Sequence, residues 1–279
     1  MGAKVSLLDK VALITGASSG IGKATAHAFA AAGAAVVLAA RRADLLEQVK
    51  AELAAYGKPV LAVPTDIVQE ADLQTLRQSI ADAFGRLDVL VNNAGLSLGG
   101  PLQESDANAI HSMVELNVYA TIRVTQVFLP QMLALRQGHI VNISSVAGLI
   151  HSPGQAAYAA TRGAVIDFSH ALRRELAGSG VRVSVVLPGW TRTPMIEKMD
   201  LRLMRAAGIM PPQTTLDNAE VPARAIVDAV SENRSQVTLG GLGFAFGSLM
   251  HRLSPSLLDW YYRFFTNKPK MLQVLKDLG

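Results

Sequence analysis

The chain has 279 residues, of which 50% are apolar and 17% charged, with a net charge of +4 and no cysteine. This apolar share excludes a disordered chain, and zero cysteine excludes disulfide scaffolds, Cys-ligated zinc, iron–sulfur clusters and thiol nucleophiles. The 26 basic and 22 acidic residues are scattered rather than gathered into a stripe with aromatics between them, which argues against a nucleic-acid partner.

From the N-terminus, short β-branched apolar runs alternate with longer Ala- and Leu-rich segments of helical period. Residues 11–15 predict a strand, 21–32 a helix, 35–40 a strand, 45–56 a helix, 60–64 a strand, 70–84 a helix and 88–92 a strand. One long helix is expected at 106–136. It is followed by a strand at 139–144, a helix at 156–177, a strand at 181–187, a helix at 220–232 and a strand at 237–239. The strands are continuous apolar runs, as strands buried on both faces are. The expected fold is α/β: a single Rossmann-like, doubly wound parallel sheet of about seven strands, with helices on both faces and a C-terminal helical extension. No linker or repeat divides the chain. Residues 1–279 are read as one domain, with a dinucleotide-binding and catalytic body at 10–240 and an aromatic-rich extension at 241–279.

The sequence Thr15-Gly16-Ala17-Ser18-Ser19-Gly20-Ile21-Gly22 falls where the first strand turns into the first helix. Glycines there allow a tight turn and close approach of a pyrophosphate, while a helix N-terminus offers unpaired N–H groups and the positive end of a dipole. The spacing is Gly-x-x-x-Gly-x-Gly, not the G-x-G-x-x-G of the common dinucleotide fingerprint. On the glycines alone, a Gly-rich turn without a ligand remains an alternative.

Other stretches follow in register: Asn92-Asn93-Ala94-Gly95 after the fourth strand, Asn117 in a helix, Ser144-Ser145 at the end of the fifth strand, Tyr158 opening the next helix, and Pro188-Gly189-Trp190-Thr191-Arg192-Thr193 after the sixth. With the glycine string, this set resembles the short-chain dehydrogenase/reductase family over residues 10 to 240. The resemblance implies an oxidoreductase that transfers hydride between a nicotinamide cofactor and a carbonyl or secondary alcohol. It implies Tyr158 as the acid/base, Ser145 as the donor that positions the substrate oxygen, and Asn117 as support for a proton relay. The family's motif is Tyr-x-x-x-Lys, whereas this chain reads Tyr158-Ala159-Ala160-Thr161-Arg162. Arg162, four residues on and on the same helical face, supplies the cation that stabilises the phenolate and reaches the ribose. A catalytically relaxed, NADP-binding sensor or scaffold protein is a second reading, and a 3-oxoacyl-carrier-protein reductase a third.

The cofactor crevice is expected to be lined by Gly16, Ser18, Ser19, Gly20, Ile21, Gly22, Asn93, Ala94 and Gly95, with Tyr158, Arg162, Pro188, Gly189, Thr191 and Thr193 closing it. Asp66 and Ile67, after the third strand, correspond to the adenine contact, with an N-cap role for Asp66 as the alternative. An NAD-selective enzyme places a carboxylate at the end of the second strand to bind the ribose 2′-hydroxyl. Here the sequence is Ala39-Ala40-Arg41-Arg42, two guanidiniums able to fork onto a 2′-phosphate, so NADP(H) is expected over NAD(H). The histidines show no ligand spacing, and no metal is expected.

Residues 191–215 mix Pro194, Pro211 and Pro212 with Met195, Met199, Met204 and Met210. This suggests a covering element over an adaptable apolar pocket for a lipophilic ketone or alcohol, the alternative being a helix packed on the body. Of the 15 aromatics, seven fall between Phe244 and Phe265, with Arg252, Arg263, Lys268 and Lys270 among and beyond them. A subunit contact in a homodimer or homotetramer, or a cover for the active site, ranks ahead of peripheral membrane contact through 241–270. No stretch reaches the roughly 20 apolar residues of a membrane span. The expected location is cytoplasmic, with membrane association as its variant.

Overall fold

The computed structural model describes residues 5–210, 216–241, 246, 248–250 and 253–277. Pro211, Pro212, Phe244 and Arg252 therefore lie outside the described residues, as do the side chains of Tyr261 and Phe265.

Among the described residues seven strands form one parallel sheet: β1 (Val11–Thr15), β2 (Ala35–Ala40), β3 (Val60–Pro64), β4 (Val89–Asn92), β5 (Gly138–Ile143), β6 (Val181–Leu187) and β7 (Gln236–Thr238), in the order β3-β2-β1-β4-β5-β6-β7. Expected strand ends move by one residue at β4, β5 and β7. Every residue of β1, β2, β4 and β5 is buried, the reason their sequences are mostly apolar, with Thr15, Asn92, His139 and Asn142 as the buried polar exceptions.

On one face, α1 (Gly20–Ala31), α2 (Ala43–Leu53) and α9 (Glu220–Ser231) bury Phe29, Leu46, Leu53 and Ile226. On the other, α3 (Glu70–Phe84), α5 (Ala120–Ala134) and α6 (Ala156–Glu175) bury Leu73, Leu76, Val124, Phe128 and Leu172. The helix expected at 45–56 begins at Ala43 and passes into a 3-10 turn at Ala54–Tyr56, ended by Gly57 at φ 65°.

The single helix expected at 106–136 is corrected. It is α4 (Ala107–Val114), a π turn at Glu115–Tyr119 and then α5. The π turn holds Asn117, and such turns inside helices occur often at functional sites. After β6 come the short helices α7 (Pro194–Glu197) and α8 (Arg202–Ala207), and beyond β7 lie α10 (Pro255–Phe265) and α11 (Lys268–Lys276). Among the described residues no helix is long and apolar enough to cross a membrane.

β5 also carries a buried histidine. His139 meets the Ser184 hydroxyl at 2.8 Å through Nε2. Burial, with Arg182 and Arg173 nearby, pushes its imidazole down to about 3 from 6.5. The folded chain thus keeps His139 neutral while the unfolded chain protonates it below about pH 6.5, so its contribution to stability is lost as pH falls from there towards pH 3. At pH 5 the loss is about 2 kcal/mol relative to pH 7. Denaturant melts at both pH values should show a smaller acid loss in His139→Gln; an equal loss would refute this origin.

Candidate active site

In an open parallel sheet, ligands bind outside the carboxyl ends of the strands, where the strand order reverses. Here the order reverses between β1 and β4, and a cleft of about 580 Å³ opens there. Its wall takes in every residue expected to bind cofactor: Gly16, Ser18 to Gly22, Arg41, Arg42, Asp66, Ile67, Asn93 to Gly95, Tyr158, Arg162, Pro188, Gly189, Thr191 and Thr193.

The loop after β1 and the loop after β4 meet backbone to backbone. Gly16 has φ +67°, and a Cβ on it would stand 2.9 Å from Ala94 Cα; a Cβ on Gly22 would lie 2.3 Å from the Gly16 carbonyl oxygen. Thr15 Oγ1 accepts the amides of Asn93 and Ala94 at 3.0 Å each, and Asn93 Nδ2 donates to the Thr15 carbonyl at 2.9 Å. Asn93 therefore lines the crevice and also ties its two rims together. At the start of α1, the Ser19 side chain makes no capping bond and the first turn has no acid. Gly20, Ile21 and Gly22 bring that helix end to the cleft. A helix N-terminus with no capping side chain and glycines that permit close approach fits a dinucleotide pyrophosphate.

β2 ends at Ala40, with no carboxylate, and Arg41 and Arg42 follow at the rim. Arg42 Nη2 donates to Ser18 Oγ at 2.9 Å and Ser19 Oγ at 3.1 Å, which lays its guanidinium against the glycine loop. Asp66 Oδ1 accepts the Val68 amide at 3.2 Å. That is an Asx turn; the N-cap of α3 is Gln69, which corrects the N-cap alternative for Asp66.

Tyr158 and Arg162 sit one turn apart in α6, 8% and 4% exposed. The guanidinium carbon of Arg162 lies 5.0 Å from the Tyr158 ring centre. Nη1 donates to the Ile143 carbonyl at 3.0 Å, which anchors Arg162 to the end of β5, whereas Nε is buried with no partner among the described residues. A Cβ on Gly95 would come within 2.6 Å of Nη2, so Gly95 makes room for an arginine at this position. Both serines line the cleft, and their hydroxyls differ in engagement: Ser144 Oγ donates to the Arg162 carbonyl at 2.7 Å, while Ser145 Oγ accepts the Ala147 amide at 3.1 Å.

Asn117 is not on that wall. Its Oδ1 accepts the Leu96 amide at 2.9 Å, and its Nδ2 donates to the Leu96 carbonyl at 2.9 Å and to Thr161 Oγ1 at 3.1 Å. Thr161 in turn donates to the Tyr158 carbonyl at 2.8 Å. Asn117 thereby links the loop after β4 to the turn of α6 that carries the tyrosine.

The covering segment is fastened at both ends. Thr191 and Asp217 form a parallel bridge, with Arg192 N donating to Asp217 O at 2.8 Å and Asp217 N to Trp190 O at 2.9 Å. Between them, Met195, Ile196 and Met199 line the cleft, whereas Leu203, Met204 and Ala207 of α8 are buried. The segment thus divides: α7 covers and α8 packs. Arg202 bridges Asp200 and Glu104, and its hydrogen bond to Asp200 holds that carboxyl below the usual carboxylate range.

Thr15, Thr161 and Trp190 fall within the sequence motifs but carried no predicted role, and Ser97 and Gln155 fall outside them, although Ser97, Gln155 and Trp190 also line the cleft. For Thr15, its place just before the glycine string was the available signal. Ser97 and Gln155 carried none.

The family model described as short chain dehydrogenase matches residues 10–203. A 3-oxoacyl-(acyl-carrier-protein) reductase of Thermotoga maritima is 34% identical, over 83% of this chain and 94% of its own. Dehydrogenase/reductase SDR family member 7B of Danio rerio is 34% identical over 95% of this chain and 87% of its own, a likeness that runs into the C-terminal helices. A short chain dehydrogenase/reductase from Burkholderia phymatum, solved in complex with NAD, superposes with a TM-score of 0.80 at 29% identity, over 91% of this chain and 96% of that one. By family match, fold and relatives together, the chain belongs to the short-chain dehydrogenase/reductase family of oxidoreductases.

Proposed function

We propose that the protein interconverts a lipophilic carbonyl compound and its secondary alcohol using NADP(H). The observation that carries this reading is the Tyr158–Arg162 pair on the cleft wall, with the guanidinium 5.0 Å from the ring centre. A nicotinamide cofactor held along the glycine loop, Asn93 and Arg162 would supply the hydride for the carbonyl carbon. Tyr158 gives its phenolic proton to the substrate oxygen as the C–O double bond becomes single, and takes it back in the reverse direction. Arg162 acts through its charge, favouring the phenolate that remains; its planar fork is not a proton carrier in the way an ammonium group is. Ser145 already accepts a backbone amide, which leaves its hydroxyl hydrogen to donate to the substrate oxygen. Asn117, with both amide atoms engaged, is a positioning residue that fixes α6 against the loop at Leu96.

The preference for NADP(H) rests on Ala40, Arg41 and Arg42: no carboxylate repels a 2′-phosphate, and two cations stand at the rim. Arg41→Ala/Arg42→Ala is expected to weaken NADPH binding by about tenfold or more while leaving NADH nearly unchanged, each charge-assisted contact being worth about 1.5–3 kcal/mol. Titration by cofactor fluorescence reads this, and equal weakening for both cofactors would refute the assignment. Support for an apolar substrate comes from Met195, Ile196 and Met199 on the wall. A homodimer or homotetramer accords with the apolar exposure of Val114 and Tyr119 near α4.

A carbonyl and alcohol panel followed by NADPH absorbance tests the reaction. Turnover of apolar ketones supports this reading. Turnover of acyl thioesters alone would select the 3-oxoacyl reductase reading that the Thermotoga relative favours, and tight NADPH binding with no turnover would select the sensor.

A further inference from the structure

The C-terminal helices pair an exposed apolar stripe with an excess of positive charge. Among the described residues, six of the 14 exposed large hydrophobic side chains lie beyond residue 245, a concentration that the body lacks. Trp260 and Phe264, one turn apart on α10, are 53% and 64% exposed, and their ring centres lie 5.1 Å apart. Leu249 and Leu253 before α10 and Leu272 on α11 are also exposed. Arg263, Lys268, Lys270 and Lys276 are exposed on the same two helices, against Asp259 alone within them and Asp277 just after. The other side of α11 is engaged: Asn267 N donates to the Ala207 carbonyl at the end of α8 at 3.2 Å, and Met271, Val274 and Leu275 are half-buried where α11 packs on α8.

We propose that α10 and α11 dock on an anionic lipid surface, with Trp260 and Phe264 entering the headgroup boundary and the cations on the lipid phosphates. The charge pattern decides between lipid and a second copy of the chain. The core of a protein interface is depleted of lysine, whereas aromatic side chains interleaved with Lys and Arg are what an interfacial helix on anionic lipid carries. Each cation near such a surface adds to binding. Because α11 rests on α8, docking brings the covering segment to the bilayer, where an apolar substrate is concentrated. The docking itself rests on this surface and not on the proposed reaction, so it is measured without substrate.

The experiment is co-sedimentation of the full chain with vesicles of phosphatidylcholine containing roughly a third phosphatidylglycerol. The expected result is binding that falls about tenfold or more on pure phosphatidylcholine, and likewise in high salt. Trp260→Ser/Phe264→Ser and Lys268→Glu/Lys270→Glu should each lower binding by about tenfold or more, with NADPH binding retained as the check on folding. No binding to the anionic vesicles overturns the proposal, as does binding that neither salt nor lipid charge affects. Self-association of the parent chain that the Trp260 and Phe264 substitutions abolish, with no vesicle binding, assigns the surface to a second copy instead. Docking with no turnover in the carbonyl panel would leave this inference standing and remove the proposed reaction.

Discussion

Tyr158→Phe is expected to lower kcat by about a thousandfold, within the roughly 10²–10⁴ range of a positioned acid/base, while leaving NADPH affinity within about threefold and the fold intact. The substitution removes a single oxygen. Tyr158 is 8% exposed, and its ring is what packs beside Met113 and Ala147, so phenylalanine fills the same space and leaves no cavity. Among the described residues no hydrogen bond holds the backbone of α6 through the phenol; the Tyr158 contact with Thr161 is made by its carbonyl. Steady-state kinetics on the best substrate of the panel, with a thermal melt and a cofactor titration, separate chemistry from folding. A kcat within about tenfold of the parent would remove Tyr158 from its catalytic role.

The second large effect concerns Arg162. Arg162→Met keeps the length and apolar stem of the side chain but removes its charge, and kcat is expected to fall by about a hundredfold. Two unit charges about 5 Å apart in an effective dielectric near 20 interact by roughly 3 kcal/mol, which corresponds to about two powers of ten in rate. Arg162→Lys restores the charge and is expected to stay within about tenfold of the parent. It loses the Nη1 bond to the Ile143 carbonyl, and it relieves the buried Nε of a position where it has no partner among the described residues. The Ser144 bond persists in both variants, because it is made to the Arg162 carbonyl. Equal kcat for the methionine and lysine variants would show that charge is not what Arg162 contributes. A rise in the KM for NADPH with kcat unchanged would confine it to cofactor binding.

The seven strands were legible because strands buried on both faces are apolar at most positions, a pattern that turn residues then punctuate. The pairing of Tyr158 with Arg162 was legible because a spacing of four puts two side chains on one face of a helix. The π turn at Glu115–Tyr119 was not. Buried positions Met113, Ala120, Val124, Phe128 and Met132 keep helical spacing on either side of it, and one extra residue in the turn is a small phase slip over so long a segment. The engagement of Asn117 was hidden for another reason: its partners at Leu96 and Thr161 are 21 and 44 residues away, and no local pattern records them. Side chains that reach the cleft from irregular backbone, such as Ser97 and Gln155, follow no period that a sequence can display.

The bridge between Thr191 and Asp217 has a consequence for how such a protein changes over generations. It closes the covering segment into a loop whose two ends are fixed to each other before the chain re-enters the body at α9. For a closed loop, lengthening costs only a logarithmic entropy, about 0.6 kcal/mol for each doubling. Insertions and deletions inside it need not disturb β6, α9 or the cofactor end of the cleft. The lining of the cleft under α7 can therefore diverge by trading one loop for another, while the Tyr158 and Arg162 side of the cleft beneath is inherited unaltered.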